Sequence, residues 1–306
     1  MRVIGAPFNS SGRTDGVARA PRALREAGLI DRLPGLVLDA GNADVGALRP
    51  ERDPRSGLRA VDSLHVTTAS LRRAIAESLR GDERPLVIGG DCPVLLGCLR
   101  GAGDVVGEVG LLFVDGHEDA WPPACSTTGE AADCELGFAL GLHRENLPPA
   151  LTSLLPTLDP SAIVALGPRD AADLAAHAIP SLADKIVIRT AEDLSADADA
   201  PARLAAHAAD RILRRVEHWW LHVDLDVLSS EALPAVDYLQ PGGLSWPQLE
   251  SLTGAALLAP GCLGITVCIY NPDLDPERVH AGRIVDYLGQ ICAQLAPLRM
   301  GPSAGS

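Results

Sequence analysis

The chain has 306 residues, of which 47% are hydrophobic, so it can bury a substantial core as one large α/β domain or two small ones. Its formal net charge of −14 argues against nonspecific binding to nucleic acid or to an anionic membrane. No uninterrupted apolar run approaches the roughly 20 residues needed to span a bilayer, and the N-terminus lacks the apolar core of a signal peptide.

Cysteine usage and linker composition predict the compartment and the domain organisation. The seven cysteines include no Cys-x-x-Cys pair, which argues against a disulfide framework and predicts a reducing, cytoplasmic location. No Pro/Gly/Ser-rich linker divides the chain, so we predict a single domain at residues 1–299. The segment 300–306 is rich in Gly, Pro and Ser and is expected to be a disordered tail.

Short apolar runs rich in β-branched residues alternate with longer segments of helical periodicity. The runs predict strands at Val3–Phe8, Leu36–Ala40, Pro85–Gly89, Gly110–Asp115, Ala162–Leu166, Lys185–Ile188, Trp219–Asp226 and Gly264–Tyr270. The periodic segments predict helices at Pro21–Ala27, Ala60–Leu79, Pro93–Leu99, Asp170–Ala178, Pro201–Val216, Trp246–Leu258 and Pro276–Leu295. This order predicts an α/β fold with a mainly parallel sheet covered on both faces, whose functional groups lie beyond the carboxyl ends of the strands.

Two of the predicted strands end in alternating acidic and histidine residues. Asp115, His117 and Asp119 follow one apolar run, and Asp224 and Asp226 end another. Side chains two apart in an extended segment point the same way, so each segment directs several metal-ligand groups to one place. Carboxylates and an imidazole are ligands that suit Mn²⁺, Mg²⁺ or Fe²⁺, whereas a structural zinc site is typically rich in thiolates. Five such groups exceed the needs of one cation, which predicts two metal ions that share bridging carboxylates.

A third strand end contains a cysteine. Cys92 follows the strand at Pro85–Gly89 and precedes a predicted helix. One interpretation is an ordinary small residue in a tight turn; the other is a thiolate metal ligand at a helix N-terminus, where the helix dipole lowers the thiol pKa. In the segment Asp115–Asp119, Glu118 lies out of phase with the three alternating residues and is expected to support the site or face solvent.

These segments resemble the marks of the ureohydrolase family of arginase, agmatinase and formiminoglutamase. The family motif Gly-Gly-Asp-His corresponds here to Gly89-Gly-Asp-Cys92, and Asp-Ala-His-x-Asp corresponds to Asp115-Gly-His-Glu-Asp119. The third motif, Ser-x-Asp-x-Asp followed by Pro-x-x-Gly-Gly-Leu, corresponds to His222-Val-Asp-Leu-Asp226 with Pro241-Gly-Gly-Leu244. Further matches occur at Gly5-Ala-Pro-Phe8, Pro21-Arg-Ala-Leu-Arg25, Gly167-Pro-Arg-Asp170 and Tyr270-Asn-Pro272. The chain is identified as a divergent member of this family, which implies a three-layer α/β/α fold.

The resemblance also implies a binuclear Mn²⁺ site and a small-molecule substrate. One metal would be bound by Cys92, Asp115, Asp119 and Asp224, and the other by His117, Asp115, Asp224 and Asp226. The two ions would lower the pKa of a water that attacks a guanidinium or amidine carbon. Asp119 would hold that water and pass a proton to the leaving amine. A homo-oligomer is expected by analogy with relatives.

Two departures from the family concern the catalytic groups. Cys92 stands where most members have a histidine ligand, which leaves manganese, zinc, iron and nickel open. A branch that hydrolyses Nω-hydroxyarginine also resembles this chain in having Cys there, so the cysteine does not by itself mean inactivity. Ala132 falls where arginases keep a proton-shuttling His. Glu130 or Glu135 could supply a carboxylate from that loop, and the alternative of equal weight is that both are surface acids or helix N-terminal charges.

Three further departures concern substrate binding. Ile269 falls where arginases have a Glu that hydrogen-bonds the guanidinium, and Trp121 and Ala172 replace polar groups that hold the amino-acid end of arginine. These replacements argue against arginine itself. We therefore predict a binuclear metal hydrolase that cleaves a non-peptide C–N bond of another guanidino, hydroxyguanidino or amidino compound. The alternative is a non-catalytic, metal-stabilised relative with a binding or assembly role.

Overall fold

The structure is a computed structural model that describes residues 1–295. The predicted tail at residues 300–306 and the end of the predicted domain lie outside the described residues.

Eight strands form one sheet, and all their pairings are parallel. The strands are β1 (Arg2–Ala6), β2 (Leu38–Asn42), β3 (Pro85–Gly89), β4 (Gly110–Val114), β5 (Ile163–Gly167), β6 (Val187–Thr190), β7 (Trp219–Asp224) and β8 (Cys262–Cys268). Every strand predicted from the sequence is present, with ends displaced by a few residues.

Helices flank the sheet, and the predicted ones are again present. They are α1 (Ala20–Glu26), α2 (Leu29–Arg32), α3 (Val61–Arg80), α4 (Val94–Val106), α5 (Glu135–Ala139), α6 (Pro149–Thr152), α7 (Ala171–Ala176), α8 (Ala191–Leu194), α9 (Ala200–Leu213), α10 (Trp246–Leu257) and α11 (Val279–Cys292). Short 3₁₀ helices lie at Gly16–Arg19, Ala131–Asp133, Pro160–Ala162, Leu182–Asp184, Leu225–Val227 and Pro272–Leu274. No helix within residues 1–295 is both long and apolar enough to cross a membrane.

The strand order across the sheet is β2-β1-β3-β8-β7-β4-β5-β6. The five strands from β3 to β5 are buried along their whole length, whereas β2 is exposed and β6 is only partly covered. Burial on both faces explains why the central strands have nearly continuous apolar sequences. The chain leaves β3 and re-enters the sheet in β4, three positions away, and later fills the gap with β7 and β8. The order in which the chain adds strands therefore reverses at the centre of the sheet, although all strands stay parallel. Ligand sites of parallel sheets form beyond the carboxyl ends of strands at such a point.

Proline placement agrees with the sequence prediction in two helices and disagrees in a third. Pro21 and Pro201 lie in the first turns of α1 and α9, where a missing N–H costs little. The prediction that Pro276 begins the last helix is wrong. Arg278 adopts a left-handed backbone conformation with φ of 58°, which a helix cannot contain, so α11 begins at Val279.

Candidate metal centre

The predicted metal ligands converge because their strands are neighbours. The ends of β3, β7 and β4 carry Cys92, the Asp224–Asp226 segment and the Asp115–Asp119 segment. These strands lie side by side with β8, and all run in the same direction. Their carboxyl ends therefore open on one edge of the sheet, where the polar side chains meet.

The segment after β4 turns sharply and holds its side chains through local hydrogen bonds. The backbone N–H of His117 donates to Oδ1 of Asp115 at 2.7 Å. The Nδ1 atom of His117 lies 3.0 Å from Oδ2 of Asp226 and 3.6 Å from Oδ1 of Asp115. Asp119 has φ of 42°, in the left-handed region, which ends the extended run and turns the chain. The three residues thus approach the end of β7 from one side.

The segment after β7 completes the cluster. The backbone N–H of Asp226 donates to Oδ1 of Asp224 at 2.6 Å, and the N–H of Gly116 donates to Oδ1 of Asp226 at 3.1 Å. The thiol of Cys92 donates to Oδ2 of Asp224 at 2.8 Å. Asp224 therefore connects the end of β3 to the end of β7, and Asp226 connects β7 to the turn after β4.

Burial gives the carboxylates unusual acidities. Burial raises the pKa of Asp115 to about 6, with a further contribution from the negative charge of Asp226. Burial, together with the charges of Asp115 and Glu135, raises the pKa of Asp119 well above its usual range. Burial acts in the same direction on Asp226, but His117 and Arg169 hold the pKa of that carboxyl below its ordinary value. The cluster has more negative charge than His117 alone balances, so a cation would stabilise it.

The donor set fits divalent metal ions. Ligand atoms of Asp115, His117 and Asp226 lie within 4.8 Å of one another, and ligand atoms of Cys92 and Asp115 belong to a second such group. The Oδ2 atom of Asp115 is buried without a hydrogen-bond partner, as expected for an atom that binds a metal. Carboxylates and imidazole suit Mn²⁺, whereas the thiol adds a softer donor that suits Zn²⁺.

A cavity of about 450 Å³ leads to this cluster. His117, Asp119, Asp224 and Asp226 contribute to its wall. The other lining residues are Trp121, Thr127, Thr128, Ala132, Asp133, Asp170, Asp173, His177, Asp237, Tyr238, Leu239, Gln240 and Ile269. A small molecule that enters the cavity would therefore meet the predicted ligands directly.

The predicted substrate-binding residues lie on different parts of the cavity wall. The ring of Trp121 packs against that of His177 with centroids 5.0 Å apart. Ile269 is buried directly after β8, with φ of 74°, and its N–H donates to the carbonyl of Gly90 at 2.8 Å. Ala172 is exposed on α7 and does not line the cavity. The functional roles of Trp121 and Ile269 stay predictions.

The two glutamates considered as catalytic carboxylates occupy different environments. Glu130 does not line the cavity; its Oε2 accepts a hydrogen bond from the Tyr238 hydroxyl at 2.7 Å. Glu135 is fully buried at the start of α5. The first amides of that helix, on Leu136 and Gly137, donate to the carbonyl of Asp119 at 3.0 and 3.1 Å. Glu135 therefore lies beside Asp119, and the surface interpretation of Glu135 is wrong.

Two more side chains near the cluster could have been sought in the sequence. His222 lies two residues before Asp224 in β7, so it faces the same side of the sheet, and the sequence prediction of the ligands does not include it. Cys268, the last residue of β8, pairs with Asp224 across the sheet. Glu118 is buried, so the solvent-facing alternative is wrong; its carboxylate accepts hydrogen bonds from the hydroxyl of Ser181 and the N–H of Leu182, and its own N–H donates to Asp170.

A model of the arginase family matches residues 1–290. The chain belongs to the arginase family. Arginase-1 from Sus scrofa is 29% identical over 288 residues, which cover 90% of this chain and 87% of that protein. The native structure of arginase from Bacillus caldovelox at pH 5.6 has a TM-score of 0.83 at 25% identity and covers 95% of this chain and 97% of that one. The formimidoylglutamase of Bacillus subtilis, at 18% identity and a TM-score of 0.74 over 97% of this chain and 88% of that one, shares the fold.

Membership has a chemical and a structural consequence. Hydrolases of the arginase family act on C–N bonds outside peptides and use a binuclear metal centre. The eight-stranded parallel sheet with flanking helices is the arginase-like α/β fold predicted from the sequence. The cluster at the ends of β3, β4 and β7 provides a group of metal donors where this fold places its functional edge.

Proposed function

We propose that this protein is a binuclear metal hydrolase that cleaves a non-peptide C–N bond of a guanidino, hydroxyguanidino or amidino compound other than arginine. The observation that carries the proposal is the direct opening of the cavity onto His117, Asp119, Asp224 and Asp226. The carboxylate and imidazole donors favour Mn²⁺ as the metal, and Cys92 leaves zinc, iron and nickel open.

The charge of the cavity supports a cationic substrate. Seven aspartates line it, and none of the described lining residues is Lys or Arg. A guanidinium or amidinium group is attracted to such a wall, while the carboxylate of an amino acid is repelled. Trp121 and His177 stand together on this wall and offer aromatic surface instead of a carboxylate-binding group. This environment supports a substrate whose remote end differs from that of arginine.

The nature of Ile269 also supports a substrate other than arginine. An isoleucine cannot accept a hydrogen bond from a guanidinium, and a charge-assisted hydrogen bond contributes about 2 kcal/mol. Its loss corresponds to about a 30-fold lower kcat/KM for a substrate that depends on it. A substrate with a different group at the reacting carbon, such as a hydroxyguanidine or an amidine, avoids this requirement.

Asp119 is the residue best suited to move protons in the reaction. When bound, two divalent ions would supply a water of lowered pKa for attack on the substrate carbon. Asp119 lines the cavity together with Asp224 and Asp226, so its carboxylate can accept a proton from such a water and release it to a leaving amine. Glu130 does not line the cavity, but it accepts a hydrogen bond from the hydroxyl of Tyr238, which does. Glu130 would therefore influence the substrate only by orienting that hydroxyl.

The test is a hydrolysis screen of the purified protein after loading with Mn²⁺ or Zn²⁺. The panel contains arginine, Nω-hydroxyarginine, agmatine and simple amidines, and the readouts are urea, hydroxyurea and ammonia. We expect at least one compound to exceed arginine by about 30-fold or more in kcat/KM. Efficient release of urea from arginine would contradict the assigned substrate class. A protein that binds metal but hydrolyses nothing in the panel would favour the non-catalytic alternative, which the family match does not support.

Location and assembly complete the proposal. We infer a cytoplasmic homo-oligomer from the cysteine usage and from the resemblance to the family. Size-exclusion chromatography with light scattering tests the assembly, and a monomer would contradict it.

A further inference from the structure

A second group of donors lies beneath the wall of the cavity. Ligand atoms of Cys92, Asp115, Glu135 and His222 all lie within 4.8 Å of one another. None of these four residues lines the cavity, and each is at most 1% exposed. Glu135 and His222 are not among the ligands that the family resemblance implies.

The four residues come from four separate parts of the fold. Cys92 follows β3, Asp115 follows β4, Glu135 begins α5 and His222 lies within β7. The ring of His222 stacks on that of Phe113, with centroids 5.1 Å apart and planes at 16°, which fixes its orientation. Glu135 is held in place by the hydrogen bonds from the start of α5 to Asp119. The convergence therefore results from the tertiary structure and not from one flexible loop.

Five polar atoms of this group lack hydrogen-bond partners. Both carboxylate oxygens of Glu135, both ring nitrogens of His222 and Oδ2 of Asp115 are buried without a hydrogen bond of normal geometry. An unsatisfied buried polar group costs about 1–3 kcal/mol, and buried polar groups in native proteins nearly always have partners. A metal ion satisfies several such atoms at once, whereas the neighbouring carboxyl of Asp119 offers Glu135 at most one shared proton.

We propose that one divalent ion of this protein is bound beneath the cavity wall by the Cys92 thiolate, the His222 imidazole and the carboxylates of Asp115 and Glu135. One sulfur, one nitrogen and two oxygens suit tetrahedral Zn²⁺ or Co²⁺, with ligand distances of about 2.0–2.3 Å. Donor atoms around such an ion lie within about 4 Å of one another, which is compatible with the observed group. In this ligand set His222 and Glu135 take the places of Asp119 and Asp224, the residues that the family resemblance implies as partners of Cys92 and Asp115.

This arrangement assigns a role to two residues that the proposed reaction does not use. Successive residues of a strand advance about 3.3 Å, so His222 lies about 6.6 Å below Asp224 along β7. Binding of the ion by the Cys92 thiolate would replace the hydrogen bond that the thiol donates to Asp224. Asp119 and Asp224, which line the cavity, are not among the four proposed ligands. The inference concerns metal position and does not depend on the identity of the substrate, because its test measures metal binding without turnover.

The first test is a titration of the metal-free protein with Co²⁺, followed by absorption spectroscopy. A thiolate ligand produces a sulfur-to-cobalt charge-transfer band, which reports an ion bound by a cysteine; the Cys92→Ser variant shows whether that cysteine is Cys92 or the neighbouring Cys268. We expect this band in the parent protein and its loss in Cys92→Ser. In His222→Ser and Glu135→Gln we expect the affinity of this ion to fall by about 10-fold or more, with altered visible bands. Parental affinity and spectrum in both variants would overturn the proposal.

Two control variants separate ligand loss from general damage. Cys262→Ser removes another buried thiol at the opposite end of β8, and His218→Ser removes a histidine just before β7. Both controls are expected to keep the parental cobalt spectrum. Circular dichroism and thermal unfolding of each metal-free variant show whether it folds.

A crystal of the parent protein soaked in Zn²⁺ gives an answer that needs no variant. Anomalous diffraction at the zinc edge locates the ion, and we expect a peak about 2.0–2.3 Å from the four named ligand atoms. A peak held by Cys92 with Asp119 and Asp224, or by Cys92 with His222 and Cys268 alone, would contradict the assigned ligand set.

Discussion

Ile269 is a residue whose backbone and side chain both bear on specificity. Its φ of 74° is rare for a β-branched residue, and the following turn is held by the hydrogen bond to Gly90. The side chain lines the cavity together with Asp119, Asp224 and Asp226. A carboxylate at this position would face any cationic group that approaches the cluster.

The variant Ile269→Glu tests this view of specificity. A carboxylate at position 269 adds a charge-assisted acceptor of about 1.5–3 kcal/mol, so kcat/KM for cationic guanidines should rise by about 10-fold or more. The matched variant Ile269→Gln offers a neutral acceptor and should give a smaller increase. Steady-state kinetics with arginine and agmatine measure the effect, and equal kinetics for Ile, Gln and Glu would show that position 269 does not contact the substrate.

Glu130 gives a prediction about pH. Burial, with a contribution from the charge of Asp91, raises its pKa from 4.5 to about 7. A carboxyl whose pKa is raised on folding stabilises the protein fully below the unfolded pKa, and this contribution is lost as pH rises through 7. In Glu130→Gln that loss is absent. The free energy of unfolding of the variant, relative to the parent, should therefore increase by about 3 kcal/mol between pH 4.5 and pH 8.

Urea unfolding of the metal-free proteins at both pH values provides the measurement. Glu145→Gln, at an exposed position, serves as the baseline for replacing a glutamate by glutamine. A difference between Glu130→Gln and the parent that is the same at pH 4.5 and pH 8 would show that the carboxyl does not change its acidity on folding.

Individual site residues differed in how well the sequence could predict their placement. The alternating positions of Asp115, His117 and Asp119 predicted that their side chains lie together. The segment nevertheless lies beyond β4 and turns at Asp119, so the contacts of His117 with Asp115 and Asp226 also determine its placement. Glu135 follows a long loop, and nothing in its neighbouring residues indicates that the start of α5 packs against Asp119. His222 has the correct phase with Asp224, so the period of two would have identified it.

At the scale of elements, the junction between β3 and α4 depends on a close approach of backbones. A side chain at Gly90 would collide with the carbonyl oxygen of Phe8, which accepts the N–H of Asp91 at 3.0 Å. Gly90 also accepts the N–H of Ile269. The glycine thus joins the end of β3 to the segments after β1 and β8, and it sets the position of Cys92.

The variant Gly90→Ala should therefore disturb both folding and metal binding. The blocking atom belongs to the backbone and cannot swing aside, so we expect a loss of about 3 kcal/mol or more in the free energy of unfolding. Gly103→Ala on α4 is the matched control, because nothing lies within 4 Å of its added methyl group. That control should stabilise by about 0.5–1 kcal/mol through helix propensity. Equal unfolding curves for both variants would refute the close-approach argument.

Sequence patterns predict the ends of helices and strands less well than their presence. Helix α4 was predicted to end at Leu99, but it continues to Val106 through Gly101 and Gly103. Glycine lowers helix propensity, which suggested an end, whereas tertiary contact decides the outcome. The backbone at Gly101 packs so closely on α3 that an added Cβ would collide with the carbonyl of Arg72. Strand β3 was predicted to the residue, and the other central strands were predicted to within two residues at each end, because continuous apolar runs define them.

For the whole molecule, bound metal should connect the strand ends and stabilise the fold. The donors belong to β3, β4 and β7 and to α5, so ions at these positions link elements far apart in the chain. A ligand at 100 times its Kd stabilises the native state by about 2.7 kcal/mol. We expect EDTA treatment to lower Tm by several degrees, and re-addition of Mn²⁺ or Zn²⁺ to restore it. An unchanged Tm on differential scanning calorimetry would argue against a metal in the native state.

Metal content is the most direct measure of the central claim, which is that buried carboxylates, an imidazole and a thiol hold two divalent cations. Protein reconstituted with Mn²⁺ or Zn²⁺ and freed of excess metal should contain about two ions per chain by inductively coupled plasma mass spectrometry. The double variant Asp224→Asn/Asp226→Asn should retain about one or none, because Asp226 belongs to a donor group with Asp115 and His117, and Asp224 contacts the thiol of Cys92. A parent protein that holds no metal after reconstitution, or a double variant that holds as much as the parent, would contradict the account.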